Sequence, residues 1–140
     1  MKIHFKKLTA DAKAPKYALP GDAGMDFFAN EDTTIKPGQY QPVSTGIAIE
    51  IPLGYVGLVW DKSGIVHRGL KTAGGVIDSG YRGDIKIQVR NLSQEDFVIN
   101  KGDKIAQILI QKVESPELIE ADSLSETTRG ESRFGSTGIK

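Results

Sequence analysis

The chain has 140 residues, 39% hydrophobic and 26% charged, which is enough for one domain with a hydrophobic core. Eighteen basic residues balance eighteen acidic ones, so no net charge draws the whole molecule to nucleic acid or to an anionic membrane. The absence of cysteine excludes disulfides, thiolate catalysis and thiolate metal sites. Neither a membrane-spanning apolar run nor a signal-peptide pattern is found, and we expect a cytoplasmic protein.

Sixteen glycines and six prolines predict many short strands joined by tight turns, as in an all-β sandwich, jelly roll or barrel. Apolar patterning predicts strands at residues 2–8, 55–60, 85–89, 95–100 and 104–113, and two more within 33–52 around the turn dipeptide Pro37-Gly38. Residues 115–126 could form a helical turn. No linker divides the chain.

The segment 20–29, PGDAGMDFFA, places Asp26 between turn glycines and two phenylalanines. An acidic residue next to two aromatic residues indicates a carboxylate that is fixed in position for a functional role. An aspartate that caps a turn remains the alternative.

The predicted strand 55–60 is followed by Asp61-Lys62-Ser63-Gly64. Backbone amides at a glycine-containing turn can form a nest for an anion, and Lys62 would add positive charge. The pattern alone is weak evidence, because Lys-Ser-Gly is common in loops.

The central segment is 75–91, GVIDSGYRGDIKIQVRN. Its glycines bracket Asp78, Tyr81 and Arg82, and residues 85–89 then alternate as a half-buried strand does. We predict a hairpin that holds a carboxylate, an aromatic ring and a guanidinium on a rigid strand. A hairpin with a merely solvated polar tip is the alternative.

Two further segments leave alternatives open. Gln107 lies inside an apolar strand, where it must either form a hydrogen bond or face outward. The end, 129–140, reads RGESRFGSTGIK and has no strand pattern. Its arginines, hydroxyls and glycine amides suit phosphate, although a frayed polar terminus would look the same.

In this order, these segments resemble the five motifs of the trimeric dUTPase family, the dUTP nucleotidohydrolases. The matching stretches are 23–27 (family AGxDL), 62–65 (RSG and an apolar residue), 75–84 (GVIDxxYRGE), 102–108 (GDRIAQ and an apolar residue) and 129–138 (RGxGGFGSTG). Five motifs in sequence, spread over nearly the whole chain, are far more specific than any one of them.

The resemblance implies an all-β, jelly-roll-like β-barrel of the β-clip kind that assembles as a homotrimer with active sites shared between subunits. Residues 1–128 would form the barrel domain, and 129–140 a mobile tail that closes over the site. The implied reaction is magnesium-assisted hydrolysis of dUTP to dUMP and pyrophosphate, which keeps uracil out of DNA and supplies dUMP for dTMP synthesis. Magnesium keeps most of its waters, so a chain without a metal-ligand cluster suits this chemistry.

The resemblance also implies roles for the central segment. Asp78 matches the carboxylate that orients and activates the attacking water. Tyr81 matches the ring under the deoxyribose. The backbone of Gly75, Val76 and Ile77 would recognise the uracil edge.

The remaining motifs match groups that face the triphosphate. Lys62, Ser63 and Gly64 would contact phosphates. Asp26 and Gln107 match positions that hold magnesium-bound waters or phosphate.

In the tail, the positions that match substrate-binding residues are Arg129, Phe134, Gly135, Ser136 and Thr137. The phenylalanine would close over uracil, and the arginine and the two hydroxyls would bind the triphosphate. In the family this tail reaches a neighbouring subunit's site.

The chain departs from the family pattern in three places. Lys62 replaces an arginine, which exchanges a bidentate fork for a point charge. Ser132 and Arg133 replace a glycine pair in the tail. Asp84 replaces a glutamate, and we expect it to form an ion pair with an arginine.

Two rival functions remain. The related dCTP deaminases carry a catalytic glutamate in the strand after the central turn, where this chain has Gln88, and glutamine cannot cycle a proton. A non-catalytic trimeric binding or regulatory module is the second rival. The presence of Asp78 and of the tail motif disfavours it.

Overall fold

A computed structural model describes residues 1–128 and 130. The described part is almost entirely β, with one short helix. In chain order the elements are β1 (His4–Lys7), β2 (Met25–Phe28), β3 (Thr33–Ile35), β4 (Tyr40–Ser44), β5 (Ile47–Glu50), β6 (Tyr55–Trp60), α1 (Ser63–Val66), β7 (Leu70–Thr72), β8 (Val76–Ile77), β9 (Lys86–Asn91), β10 (Phe97–Ile99) and β11 (Lys104–Lys112). The prediction of an all-β, jelly-roll-like fold is confirmed.

The strands pair antiparallel in four sheets. The largest has the order β2-β11-β6-β8, and a three-stranded sheet has the order β4-β9-β7. Two-stranded sheets, β1-β5 and β10-β3, complete the architecture. Most neighbours in a sheet are distant in sequence, so the fold brings separate motifs together.

The two larger sheets contribute to one hydrophobic core. Ile87 and Val89 of β9 and Ile105 and Ile108 of β11 belong to the same cluster, and none is more than 1% exposed. On β9 these apolar residues alternate with exposed or half-buried ones, as the period-two pattern predicts. Burial of such side chains is the main favourable term in folding.

Strand positions agree well with the sequence patterns. The prediction for 55–60 matches β6 residue for residue, and 104–113 ends one residue beyond β11. The region 33–52 holds three strands instead of two, because the chain turns at Gly46, whose φ of 64° lies in the left-handed region. Residues 115–126 form no helix, which fits the helix-breaking Pro116 and the lack of an apolar face.

Within the described residues, no helix is long and apolar enough to cross a membrane.

Candidate active site

Strand β11 aligns three of the predicted segments. Gln107 is paired with Asp26 on β2 and with Trp60 on β6. Asp61 and Lys62 follow Trp60 directly. Residues that are far apart in sequence therefore lie side by side across three strands of the four-stranded sheet.

Gln107 is anchored by a hydrogen bond. Its Nε2 donates to the carbonyl oxygen of Asp61 over 2.9 Å. Its side chain packs so closely on Gly24 that a Cβ there would lie 3.0 Å from the Cβ of Gln107 and closer still to its Oε1. The glycine of the first motif is therefore required by this close approach, and the alternative of an outward, unbonded Gln107 is excluded.

Asp26 is buried and bound by two lysines. Its Oδ1 accepts a hydrogen bond from Lys62 Nζ over 2.7 Å, and Lys104 Nζ lies 2.7 Å from Oδ2 as an ion pair outside hydrogen-bond alignment. Burial raises the pKa of Asp26, but the two positively charged lysines, Lys104 and Lys62, outweigh burial and hold that pKa below the ordinary value. The carboxylate therefore stays ionised and fixes two ammonium groups.

Asp61 fixes the segment that carries Lys62. Its carboxylate accepts hydrogen bonds from the backbone N–H of Thr72 over 2.7 Å and from the Thr72 hydroxyl over 2.8 Å, and it pairs with Lys71. Burial raises the pKa of Asp61, and these partners bring it below the ordinary value. The end of β6 is thereby tied to β7.

These groups border a polar cleft of about 520 Å³. Its lining residues are Asp22, Ala23, Gly24, Trp60, Asp61, Lys62, Gln107 and Leu109. Ser63 and Gly64 begin the one-turn helix α1 beside it and are exposed. Ile65 is the first residue of that turn whose backbone N–H donates a hydrogen bond to the carbonyl oxygen of Lys62.

The central segment belongs to a hairpin, and the incoming strand of that hairpin lies just before the segment. Strands β8 and β9 do not pair with each other: β8 pairs with β6, and β9 pairs with β4 and β7. The hairpin is formed by β7 and β9, and residues 73–85 are its long connection, called here the 73–85 loop. Within this loop, β8 crosses to the four-stranded sheet, where it pairs with β6.

The 73–85 loop forms most of a second pocket of about 330 Å³. Its lining residues are Val59, Gly74, Gly75, Val76, Ile77, Asp78, Tyr81, Asp84, Ile85, Lys86 and Gln88. Asp78 is exposed there, and its carbonyl oxygen accepts the backbone N–H of Tyr81 over 3.1 Å to close a turn. The pocket thus combines main-chain polar groups, the aromatic ring of Tyr81 and the exposed carboxylate of Asp78.

Asp84 forms a different contact from the one predicted. Its Oδ2 accepts a hydrogen bond from Ser44 Oγ over 2.7 Å, and its Oδ1 accepts one from the backbone N–H of Gly46 over 2.9 Å. Among the described residues, no arginine forms the predicted ion pair with Asp84. The nearby Arg82 instead donates to the carbonyl oxygens of Ser79 and Tyr81 over 2.7 and 2.8 Å.

The predicted site residues therefore fall into two groups within one chain. Lys62 and Gln107 line the polar cleft, with Asp26 buried behind Lys62, whereas Asp78 and Tyr81 line the loop pocket. The two cavities share no lining residue.

The donor set suits a hydrated ion better than a metal held directly by protein. In residues 1–128 and 130, no group of three or more His, Cys, Asp or Glu side chains could hold a metal. The exposed carboxylate of Asp78 and the amide oxygen of Gln107 are oxygen donors of the kind that magnesium prefers, directly or through water. Asp26 is only 2% exposed and already engaged by lysines, so its predicted contact with magnesium-bound waters stays a prediction.

Sequence reasoning missed Asp61 and Lys104. Lys104 lies inside the fourth motif, and a buried aspartate such as Asp26 requires a cation, but only the register of β2 against β11 shows which one. The predictions for Arg129, Phe134, Gly135, Ser136 and Thr137 lie outside the described residues.

With the fold and the two cavities described, comparison with known proteins identifies the family. The family model described as dUTPase matches residues 10–138. Deoxyuridine 5'-triphosphate nucleotidohydrolases from Mycobacterium sp. (strain JLS) and Corynebacterium glutamicum are 46% and 45% identical, over 94% and 97% of this chain and 92% and 94% of theirs. That of Vaccinia virus (strain Copenhagen) is 41% identical over 99% of this chain and 94% of its own. The chain belongs to the dUTPase family.

Solved structures agree with this assignment. A point mutant of the Staphylococcus bacteriophage 80alpha dUTPase with dUpNHpp superposes with a TM-score of 0.89 at 29% identity, covering 99% of both chains. A mutant dUTPase from phage phi11 of S. aureus, described with a structural Mg(II) ion, gives 0.84 at 27% identity, covering 90% of this chain and 100% of that one.

Proposed function

We propose that this enzyme hydrolyses dUTP to dUMP and pyrophosphate. The observation that carries the proposal is the loop pocket, where Asp78 and Tyr81 stand beside the backbone of residues 75–77. Main-chain donors and acceptors of that stretch suit the uracil edge. The ring of Tyr81 offers a flat apolar surface for the deoxyribose.

Asp78 is the proposed catalytic residue. An exposed carboxylate at the mouth of a nucleotide pocket can orient a water and accept its proton as the water attacks the α-phosphorus. For the attack on phosphorus, the protein mainly has to position the reacting groups and stabilise the charge that develops. The oxygen–phosphorus bond to the pyrophosphate then breaks, and pyrophosphate leaves.

The polar cleft is the proposed triphosphate side. Lys62 supplies a positive charge held in place by Asp26, and Ser63 and Gly64 offer a hydroxyl and backbone amides beside it. Gln107 presents a side chain fixed by its bond to Asp61. The second ammonium group at Asp26, from Lys104, adds to the positive field.

Magnesium would supply charge neutralisation on the phosphate oxygens. Gln107 and Asp26 are proposed to reach its waters and Asp78 to act on the attacking water, with no protein cage around the ion.

We propose that the active sites are shared between the subunits of a homotrimer. A nucleotide with its base in the loop pocket of one subunit would place its phosphates on the polar cleft of another. We propose that residues 129–140 complete the site, with Arg129, Ser136 and Thr137 on the phosphates and Phe134 over uracil. Gly135 would give the backbone freedom to close. We propose the cytoplasm as the compartment.

The substitution Asp78→Asn tests the catalytic assignment. We expect kcat for dUTP to fall by about 10²–10⁴-fold, because the amide cannot accept the proton, while the affinity for a non-hydrolysable dUTP analogue is retained. Unchanged turnover would remove Asp78 from its role. Loss of both turnover and nucleotide binding would indicate that it holds substrate instead.

A further inference from the structure

Tyr81 is held in place from two sides. Its hydroxyl donates to the carbonyl oxygen of Asp84 over 2.8 Å. Its ring lies over Gly83, where a Cβ would come within 2.7 Å of the Tyr81 Cζ. The position of the ring therefore depends on the backbone of residues 83 and 84.

The backbone of Asp84 is in turn fixed to the corner between β4 and β5. Both carboxylate oxygens of Asp84 are used, one by Ser44 Oγ and the other by the Gly46 N–H. Ser44 Oγ also accepts the Gly46 N–H over 3.2 Å, which closes a three-membered network. A carboxylate one methylene shorter than glutamate holds its own backbone closer to this corner.

We propose that Ser44 and Asp84 are positioning residues that set discrimination between deoxyribose and ribose by fixing Tyr81. The chain of contacts runs from the Ser44 hydroxyl to the Asp84 carboxylate, and from the Asp84 carbonyl to the Tyr81 hydroxyl. The inference rests on the proposed function, in which the Tyr81 ring lies under the sugar. A Tyr81 ring that is fixed beneath the sugar leaves no space for a 2′-hydroxyl, whereas a ring that can move away from the sugar makes room for one.

We expect the corner to remain in place when this network is lost. Ile85, the residue after Asp84, is bound to the same corner by its own hydrogen bonds. Its carbonyl oxygen accepts one from the Thr45 hydroxyl over 2.8 Å, and its N–H donates one to the carbonyl oxygen of Ile47 over 2.9 Å. Removal of the Ser44 hydroxyl is therefore expected to loosen Asp84 without detaching the 73–85 loop.

The test is the ratio of kcat/KM for dUTP to that for UTP, measured for the unmodified chain, Ser44→Ala, Tyr81→Phe and the double variant. Tyr81→Phe keeps the ring and removes only its tether at an exposed position, so it is expected to fold. We expect each single variant to lower the ratio by about threefold to tenfold, the effect of losing one hydrogen bond. The double variant should be no worse than Tyr81→Phe alone, because both changes break the same chain of contacts.

Ser93→Ala is the matched control. Ser93 Oγ also donates to a side-chain oxygen, that of Asn91 over 2.7 Å, but in the turn after β9. Its ratio should equal that of the unmodified chain.

Each other outcome overturns a defined claim. Suppose that the unmodified chain discriminates against UTP and that both Ser44→Ala and Tyr81→Phe keep its ratio. That result overturns the inference but leaves the proposed function standing. Additive losses in the double variant also overturn it. An unmodified chain that does not discriminate against UTP overturns the sugar-facing role of Tyr81, and the inference with it.

Discussion

Lys62 Nζ lies 2.7 Å from Oδ1 of the buried Asp26, which joins the second predicted motif to the first. Lys104 of the fourth motif pairs with the other oxygen of the same carboxylate. One buried aspartate therefore holds two lysines at the edge of the polar cleft. Lysine replaces the family's usual arginine at position 62, and its ammonium group is fixed by this pair.

Replacing Lys62 with methionine tests this arrangement. We expect Lys62→Met to lower the free energy of unfolding by about 1–3 kcal/mol, because a buried carboxylate keeps only one of its two cations. KM for dUTP should rise with it. Urea unfolding and steady-state kinetics measure the two effects.

Lys101→Met is the matched control, because Lys101 pairs with Asp11 on the surface. It should leave both quantities unchanged. Equal effects from the two substitutions would contradict a special role for the pair at Asp26.

The pH dependence of stability provides a second test. The folded-state pKa of Asp26 lies below the ordinary 3.8, so the unfolded chain binds the proton more readily. Its contribution to stability is therefore complete well above pH 3.8 and is lost as the pH falls below that value through the folded-state pKa.

Urea unfolding of the unmodified chain and of Asp26→Asn across the acidic range measures this contribution. The variant should be less stable at neutral pH and lose less stability on acidification. Parallel curves for the two proteins would exclude Asp26 as a source of acid sensitivity.

Gly24→Ala tests the packing of Gln107. An added methyl group would meet the Gln107 side chain and displace it from its bond to the Asp61 carbonyl. We expect a stability loss of about 1 kcal/mol and a lower kcat/KM for dUTP. The melting temperature is measured by thermal unfolding for Gly24→Ala and for the control, Gly80→Ala. Gly80 is a suitable control because a Cβ there meets nothing within 4 Å. Equal melting temperatures for both variants would refute the close-approach argument.

The sharing of sites between subunits is tested by mixing two inactive variants. Asp78→Asn disables the loop pocket, and Gln107→Ala disables the polar cleft. When the two proteins are unfolded together and refolded, random assembly should leave about one quarter of the sites with both groups intact. Activity should therefore reappear. A mixture that stays as inactive as its components would mean that each site is built within one chain.

Local patterns predicted the strands well, because the apolar run of β6 and the alternation of β9 are properties of the chain itself. The contacts that build the site depend on register, which local patterns do not contain. The sequence therefore pointed to Asp26 and Gln107 separately but could not show that they are partners on β2 and β11.

The partners of charged residues were the least predictable feature. Asp84 was expected to bind an arginine and instead accepts hydrogen bonds from Ser44 and Gly46, because the β4–β5 corner approaches the 73–85 loop. Asp61 was seen as part of an anion-binding turn, and its carboxylate instead ties that turn to Thr72. In both cases a distant strand supplies the partner.

The most direct test of the central claim is pyrophosphate release from dUTP, dCTP, dTTP and UTP, each measured with and without magnesium. We expect rapid, magnesium-dependent release from dUTP and little from the other three, because uracil and deoxyribose are selected together in the loop pocket. Comparable release from several nucleotides would contradict the recognition assigned to the 73–85 loop. No release from any nucleotide would contradict the proposed activity itself.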